Sequence, residues 1–393
     1  MAIAAKIQSV IEKSSWIRKM FEEGGRLKAL YGAENVFDFS LGNPNVPPPE
    51  IFEKTLRDIL DSGEARDHGY MPNTGYPFVR EAVAGYVAKE QGADVTAEEI
   101  IMTCGAAGAL NATLKALLDP GDEVITPAPY FVEYGAYADN HGGVLKTVPT
   151  REDFTLNLDA MAAAITEKTK IILINSPNNP TGQIYDAASL EGLGRLMADR
   201  AGAMGRTIYL VSDEPYRKIV YDGATVPGIF GACPNSIIAT SYSKELSIPG
   251  ERLGYIAVNP AVEARESLLA ALALTNRILG FVNAPALMQR VVARLQGVTV
   301  DVSEYDRKRR LLCQGLAACG YEFGTPPGAF YLFPKSPVSD DVAFVKTLQE
   351  ERILVVPGSG FGGPGHFRIS YCVDDQTITG AMPGFQRAIE KHQ

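Results

Sequence analysis

Histidine and cysteine are sparse in this chain, and neither is grouped. Four histidines stand among 393 residues, without the paired His or Cys spacing that a metal site needs. The five cysteines (Cys104, Cys233, Cys313, Cys319, Cys372) are odd in number and scattered. Lacking a CxxC pair, they imply neither a disulfide framework nor a zinc site; reduced thiols in a cytoplasmic protein are the expectation. No basic run interrupts a formal charge of −9, so neither nucleic acid nor an anionic membrane is an expected partner. No apolar run reaches the roughly 18 residues of a membrane span. No internal repeat or low-complexity segment stands out. A nicotinamide dehydrogenase is excluded, because no GxGxxG follows the first strand-like run with an acid about 20 residues on.

What is present is core-forming material, 46% apolar, enough for two domains. Short β-branched runs predict strands at Ile100–Thr103, Glu123–Thr126, Val144–Val148, Lys170–Asn175, Thr207–Ser212, Ile237–Ser241 and Gly254–Val258. Helical spacing falls between most of them, as in Ala109–Leu118 and Ala187–Ala203. Such alternation predicts an α/β fold with a mainly parallel sheet covered on both faces. Ligands of such sheets sit beyond the carboxyl ends of the strands, and Gly105, Asn175, Asp213 and Ser241 fall at those ends. Beyond a long helix, Ala261–Leu279, the texture changes. Helices at Tyr305–Cys319 and Asp341–Glu351 alternate with strand-like Phe330–Phe333, Ile353–Val356 and Phe367–Tyr371. This reads as a smaller α+β domain. Residues 41–285 are expected to form the large domain, and 1–40 with 286–393 the small one. An amphipathic helix, with Ile3, Ile7, Val10, Ile11, Ile17 and Met20 near one stripe, would open the latter. The proline-rich LGNPNVPPPE near residue 45 is neither helix nor central strand; it is a linker or a rigid loop lining a site.

The segment SYSKELSIPGERLGY carries the chemistry. Lys244 is flanked by Ser241 and Ser243 and followed by Arg252. A lysine amine forms a Schiff base with an aldehyde cofactor, and hydroxyls with a guanidinium hold a phosphate beside it. These are the needs of pyridoxal 5′-phosphate. Its pyridine nitrogen asks for an acid; Asp213 closes an apolar strand, where a carboxylate needs a partner. Asn179 and Tyr216 are candidate donors to the ring hydroxyl. The small residues from Thr103 to Ala109, around Gly105, Ala106 and Ala107, offer free backbone N–H groups to a phosphate at a helix start. Tyr130 is the candidate aromatic plate against the ring. Arg368, a charge on an apolar strand, suits bidentate capture of a substrate carboxylate.

With these residues assembled, the chain resembles the class I/II aminotransferases, of the fold-type I pyridoxal phosphate family. The resemblance runs from about residue 36 to 390. It rests on NSPNNPTG (Asn175–Gly182), SDEPY (Ser212–Tyr216) and SYSKELSIPGERLGY (Ser241–Tyr255), supported by SLGNPN, HGYMPNTGYPFVREAV, GAFYLF and VPGSGFG…HFRISY. It implies a large domain with a mainly parallel seven-stranded sheet plus a small α+β domain. It also implies that Lys244 is the Schiff-base lysine and proton shuttle, and that Asp213 pairs with the pyridinium. Asn179 and Tyr216 would hold the ring hydroxyl, while Ser241, Ser243, Arg252 and the backbone of Gly105, Ala106 and Ala107 bind phosphate. Tyr70 would reach the phosphate across a dimer interface, making the enzyme a homodimer. Gly42, Asn179 and Arg368 would bind the α-carboxylate of an amino acid or a 2-oxo acid such as 2-oxoglutarate.

One departure bears on the substrate. A bacterial aspartate aminotransferase subgroup carries a lysine after the glycine of the phosphate loop, where it helps bind the distal carboxylate; here that position is Ala106. Arg277 is an alternative cation, while Phe330, Tyr331 and Phe37 would favour apolar or aromatic side chains. Aspartate and an aromatic or apolar amino acid both stay open as donors. A carbon–sulfur β-lyase, a decarboxylase or a synthase would use the same residues. A non-catalytic regulator of this fold would be expected to carry an added DNA-binding domain, for which the stretch before residue 36 leaves no room.

Overall fold

The computed structural model describes residues 3, 4, 6–8, 16–63 and 68–392. The first half of the expected N-terminal helix lies largely outside that set, Val10 and Ile11 included. From Trp16 to Tyr31 the chain is helical, and Met20 is buried.

Twelve strands are described. We number them β1 (Phe37–Asp38), β2 (Ile100–Thr103), β3 (Glu123–Ala128), β4 (Val144–Pro149), β5 (Thr169–Asn175), β6 (Tyr209–Asp213), β7 (Ser236–Ser241), β8 (Gly254–Val258), β9 (Tyr331–Leu332), β10 (Ile353–Leu354), β11 (Val356–Pro357) and β12 (Phe367–Ser370). Strands β2 to β8 form one seven-stranded sheet in the order β2-β8-β7-β6-β5-β3-β4. Only β8 runs against its neighbours β2 and β7; the remaining pairs are parallel. All seven strands expected from the sequence are present.

Parallel strands buried on both faces need apolar side chains in unbroken runs. β5 supplies Ile171, Ile172, Leu173 and Ile174, all fully buried. Side chains alternate across a strand. Ile171 and Leu173 therefore join Val124, Val211 and Ile237 on one face, under the helices Gly105–Leu117 and Arg265–Ile278. Ile172 and Ile174 join Ile125, Leu210 and Ile238 on the other, against the helices Pro77–Gln91, Ala187–Met204 and Ala286–Ala293. Each fully buried Ile or Leu contributes roughly 1.5–3 kcal/mol relative to exposure.

A second core gathers Phe39, Val46, Tyr216, Tyr221, Val300, Tyr305, Phe330, Phe344, Phe367 and Phe385. It lies around two small sheets, β11-β12-β9 and β1-β10. The expected single strand Ile353–Val356 is two short ones. β10 pairs with β1, and the chain then passes at Val355 to pair Val356 with Arg368. No helix among the described residues is long and apolar enough to cross a membrane. The described residues also hold no cluster of His, Cys, Asp and Glu suited to a metal ion, and all five cysteines are free.

Candidate active site

Three strands of the large sheet end in a polar residue on one cavity of about 370 Å³: β5 in Asn175, β6 in Asp213 and β7 in Ser241. The same cavity is lined by Gly42, Ala106, Ala107, Asn179, Tyr216, Ser243, Lys244, Arg252, Tyr331 and Arg368. The fold thus brings together residues more than 300 positions apart in the chain, as expected beyond the carboxyl ends of parallel strands.

Lys244 donates from Nζ to the Gly42 carbonyl at 2.7 Å. Its ammonium lies 5.4 Å from the Phe330 ring centroid and 5.9 Å from that of Tyr216. Burial among these groups pulls its pKa down to about 8, because desolvation disfavours the charged form. It is the only lysine lining the cavity among the described residues.

Asp213 is 5% exposed. Its Oδ2 accepts from the Tyr134 hydroxyl at 2.6 Å, and its main-chain carbonyl accepts from Asn175 Nδ2 at 2.8 Å. Oδ1 is buried with no partner among the described residues. Burial pushes the carboxyl up to about 7, against the Tyr134 hydrogen bond that pulls it down. A buried oxygen left without a donor is costly and marks the place for an external cation or N–H group.

The helix Gly105–Leu117 starts four residues earlier than its sequence pattern indicates. Glycine is a poor helix former, so propensity hides this start. No side chain caps the helix, which leaves its first N–H groups open to an anion. Gly105 has φ 71°, and a Cβ there would sit 3.1 Å from an Arg252 Nη. Arg252 is thus held beside the helix start, with Ser241 and Ser243 on the same cavity. Together they offer an anion neutral N–H groups, hydroxyls and one guanidinium.

Arg368, on β12, is 2% exposed. Its Nη1 donates to Asn179 Oδ1 at 3.0 Å and its Nη2 to the Ser40 carbonyl at 2.6 Å. The guanidinium carbon lies 4.8 Å and 4.7 Å from the Tyr331 and Phe361 ring centroids. Nε has no partner among the described residues. A buried guanidinium with an idle donor is suited to a carboxylate. Asn179 is fixed in turn by its own N–H, which donates to Asn175 Oδ1 at 2.7 Å. The Tyr216 and Tyr331 hydroxyls are 2.7 Å apart. A Cβ on Gly42 would collide with the Tyr331 hydroxyl, so this position requires glycine.

The proline-rich loop is a wall of the site. Its carbonyls at Ser40, Gly42 and Val46 accept from Arg368, Lys244 and Ser247, and Asn45 Oδ1 accepts from Lys308.

One expectation is not met. Tyr130 does not line the cavity; its neighbour Phe131 does. The next helix begins at Glu133, not at Tyr130, and the Tyr130 ring lies over Gly362. Phe131 is therefore the residue placed to serve as the aromatic plate. Tyr70 is 93% exposed and outside the cavity. Among the residues weighed for side-chain selection, Tyr331 lines the cavity, Phe330 is buried behind it, Phe37 packs against Gly380 and Arg277 is exposed. Glu133 and Tyr137, which line the cavity, and Tyr134, which donates to Asp213, are positions that sequence reasoning passed over. The one available signal was a tyrosine pair three residues apart after PYFVE, which puts both on one helix face.

The cavity fits a phosphorylated, ring-nitrogen aldehyde. Asp213 Oδ1 awaits a partner, the helix start beside Arg252 suits a phosphate, and Lys244 holds an amine that burial favours in its neutral form. Residues 33–383 match the model of the family described as aminotransferase class I and II. The aspartate/prephenate aminotransferase of Thermus thermophilus is 34% identical over 354 residues, covering 88% of this chain and 89% of that protein. An aromatic-amino-acid aminotransferase of Thermococcus litoralis is 30% identical, covering 100% of this chain and 99% of that one. The crystal structure of an aminotransferase from Eubacterium rectale superposes with a TM-score of 0.97 at 39% identity, covering 100% of both chains. Sequence, fold and site converge: the chain belongs to the class I and II aminotransferases, pyridoxal phosphate enzymes that move an amino group from an amino acid to a 2-oxo acid.

Proposed function

We propose that this cavity binds pyridoxal 5′-phosphate and transfers an amino group between an L-amino acid and a 2-oxo acid. The observation that carries the reading is the pair of buried, partnerless atoms on one cavity with Lys244: Asp213 Oδ1, and Arg368 Nε on the opposite charge. Bound there, pyridoxal phosphate supplies an aldehyde and a ring that withdraws electrons from the substrate Cα.

The chain's own residues do the rest. Asp213 would keep the ring nitrogen protonated, and Asn179 and Tyr216 would donate to the ring hydroxyl. Ser241, Ser243, Arg252 and the backbone of Gly105, Ala106 and Ala107 hold the phosphate. Phe131, which lines the cavity, would offer its ring face to the cofactor. Arg368 takes the substrate α-carboxylate with Asn179 and Gly42. Lys244, whose amine is half neutral near pH 8, accepts the Cα proton and returns it on the other side of the transfer. Tyr70 serves a second copy of the chain, a reading that its exposure supports, and the working enzyme is a cytoplasmic homodimer. Sedimentation tests the dimer: a single species at the 42.3 kDa chain mass would count against it. Residues 41–285 are our reading of the large domain, extended through Ala286–Ala293 because Met288, Val291 and Val292 pack with the large sheet's core, whereas Val300 belongs to the smaller one. The relatives do not favour a lyase or a regulator.

The test is reconstitution followed across pH. Adding pyridoxal phosphate to the apoprotein should produce the visible band of a lysine-bound cofactor. The capture rate should rise about tenfold per pH unit below about 8 and level off above it. The sign follows from the neutral amine being the nucleophile: its population grows with pH until the lysine is fully deprotonated. A rate that keeps climbing towards the ordinary lysine range would refute the buried amine. An amino acid should then bleach the band and release a 2-oxo acid. Release of ammonia instead would turn the reading to a lyase.

A further inference from the structure

The cavity carries one carboxyl group that this chemistry leaves unused. Glu133, first residue of the helix Glu133–Asn140, lines the site, and its Oε2 is buried with no partner among the described residues. Arg368, Tyr331 and Tyr137 are the titratable groups that sense its charge. The basic side chains lining the cavity are Lys244, Arg252 and Arg368, and each already has a task at the cofactor or the α-carboxylate. Ala106 supplies only a methyl group, and Arg277 is exposed outside the cavity. Burial pushes the Glu133 carboxyl's pKa up, against its own backbone N–H and the Arg368 guanidinium, which pull it down. In its ionised form it would meet a substrate's second carboxylate as an acceptor of the same sign, with no spare cation among the described lining residues. Like charges in a desolvated pocket oppose binding. A side chain that offers a hydrogen-bond donor would instead satisfy Oε2.

We infer that Glu133 is a specificity-determining residue that rejects dicarboxylates and selects an amino acid whose side chain carries a hydrogen-bond donor, neutral or cationic. The inference rests on the aminotransferase reading of the cavity. The same carboxylate acts on the amino acceptor, because donor and acceptor share one site. It therefore weighs against 2-oxoglutarate and towards a 2-oxo acid with one carboxylate.

The experiment uses the full-length holoenzyme as wild type, Glu133→Gln and Glu133→Ser. Two unreactive acids, maleate and 3-phenylpropionate, are titrated against the visible band and by calorimetry. Both variants should bind maleate roughly tenfold tighter or more than wild type. Their affinity for 3-phenylpropionate should stay within about threefold. In single-turnover bleaching, L-glutamine should slow about tenfold in Glu133→Ser, with L-phenylalanine unchanged. Maleate affinity that is unchanged or weaker in both variants overturns the inference. So does a parallel shift of both acids, which would mark Glu133 as merely structural. Absence of the visible band in wild type is a separate outcome: it sinks the cofactor reading, and the inference with it.

Discussion

Lys244→Ala enzyme is expected to lose on the order of 10⁴-fold in kcat, the upper range for removing a positioned acid–base group. It is also expected to show no lysine-bound visible band. The effect is large because Lys244 is the only lysine lining the cavity among the described residues, so no second amine can take over both attachment and proton transfer. Its Nζ is held by the Gly42 carbonyl at 2.7 Å, which fixes the amine over the site. Stopped-flow absorbance and product assay check this. A small primary amine added to the variant should restore part of the rate, because the cavity left by the side chain is bounded by polar groups that remain in place. A band of unchanged intensity in Lys244→Ala would place the attachment elsewhere.

Asp213→Asn should cost about 10²- to 10⁴-fold in transamination, in line with the 3–5 kcal/mol attached to removing one member of a buried ion pair. The isosteric amide keeps the shape and an acceptor for the Tyr134 hydroxyl, but it cannot hold a protonated ring. Stability should move the other way. In the folded apoprotein the carboxyl titrates near 7 instead of 3.8, so the folded state binds that proton more tightly than the unfolded chain. The associated stability is present below about 3.8 and is lost as pH rises through 7. At pH 8 the wild-type apoprotein bears a buried, half-partnered anion that the asparagine variant lacks. The variant apoprotein should melt at the same or a higher temperature there, while its affinity for pyridoxal phosphate falls. A variant that is both inactive and less stable without cofactor would make Asp213 a folding residue instead.

The seven strands of the large sheet were legible because both of its faces are covered. Runs such as Ile171–Ile174 have no polar alternation to blur them. The polar residues that interrupt them at Asn175, Asp213 and Ser241 were legible for the same reason, as they end runs that are otherwise apolar. The helix start at Gly105 was not, because its first residues are chosen to leave room for Arg252 and not for helix propensity. Tyr130 and Phe131 are equivalent in composition. Only the entry angle of the following helix decides which ring faces the cavity, and that angle is set by tertiary packing. Glu133 escaped notice because the helix it opens has eight residues and only two buried positions, too few for a periodic signal. Tyr70 lies beyond reach of one chain, since its proposed target belongs to another copy.

The loop from Ser40 to Pro49 supplies the site with main-chain acceptors. Main-chain oxygens of Ser40 and Gly42 compensate the Arg368 guanidinium and the Lys244 ammonium. A ligand that takes the Lys244 ammonium or the Arg368 Nη2 competes with these oxygens, and its binding includes an exchange of acceptors. Measured affinity is therefore a difference between two sets of hydrogen bonds. A substitution that stiffens or displaces this loop will alter affinity without touching any atom of the ligand. Seen this way, the prolines that flank Asn45 and follow Val46 set the strength of the competitor against which every substrate is weighed.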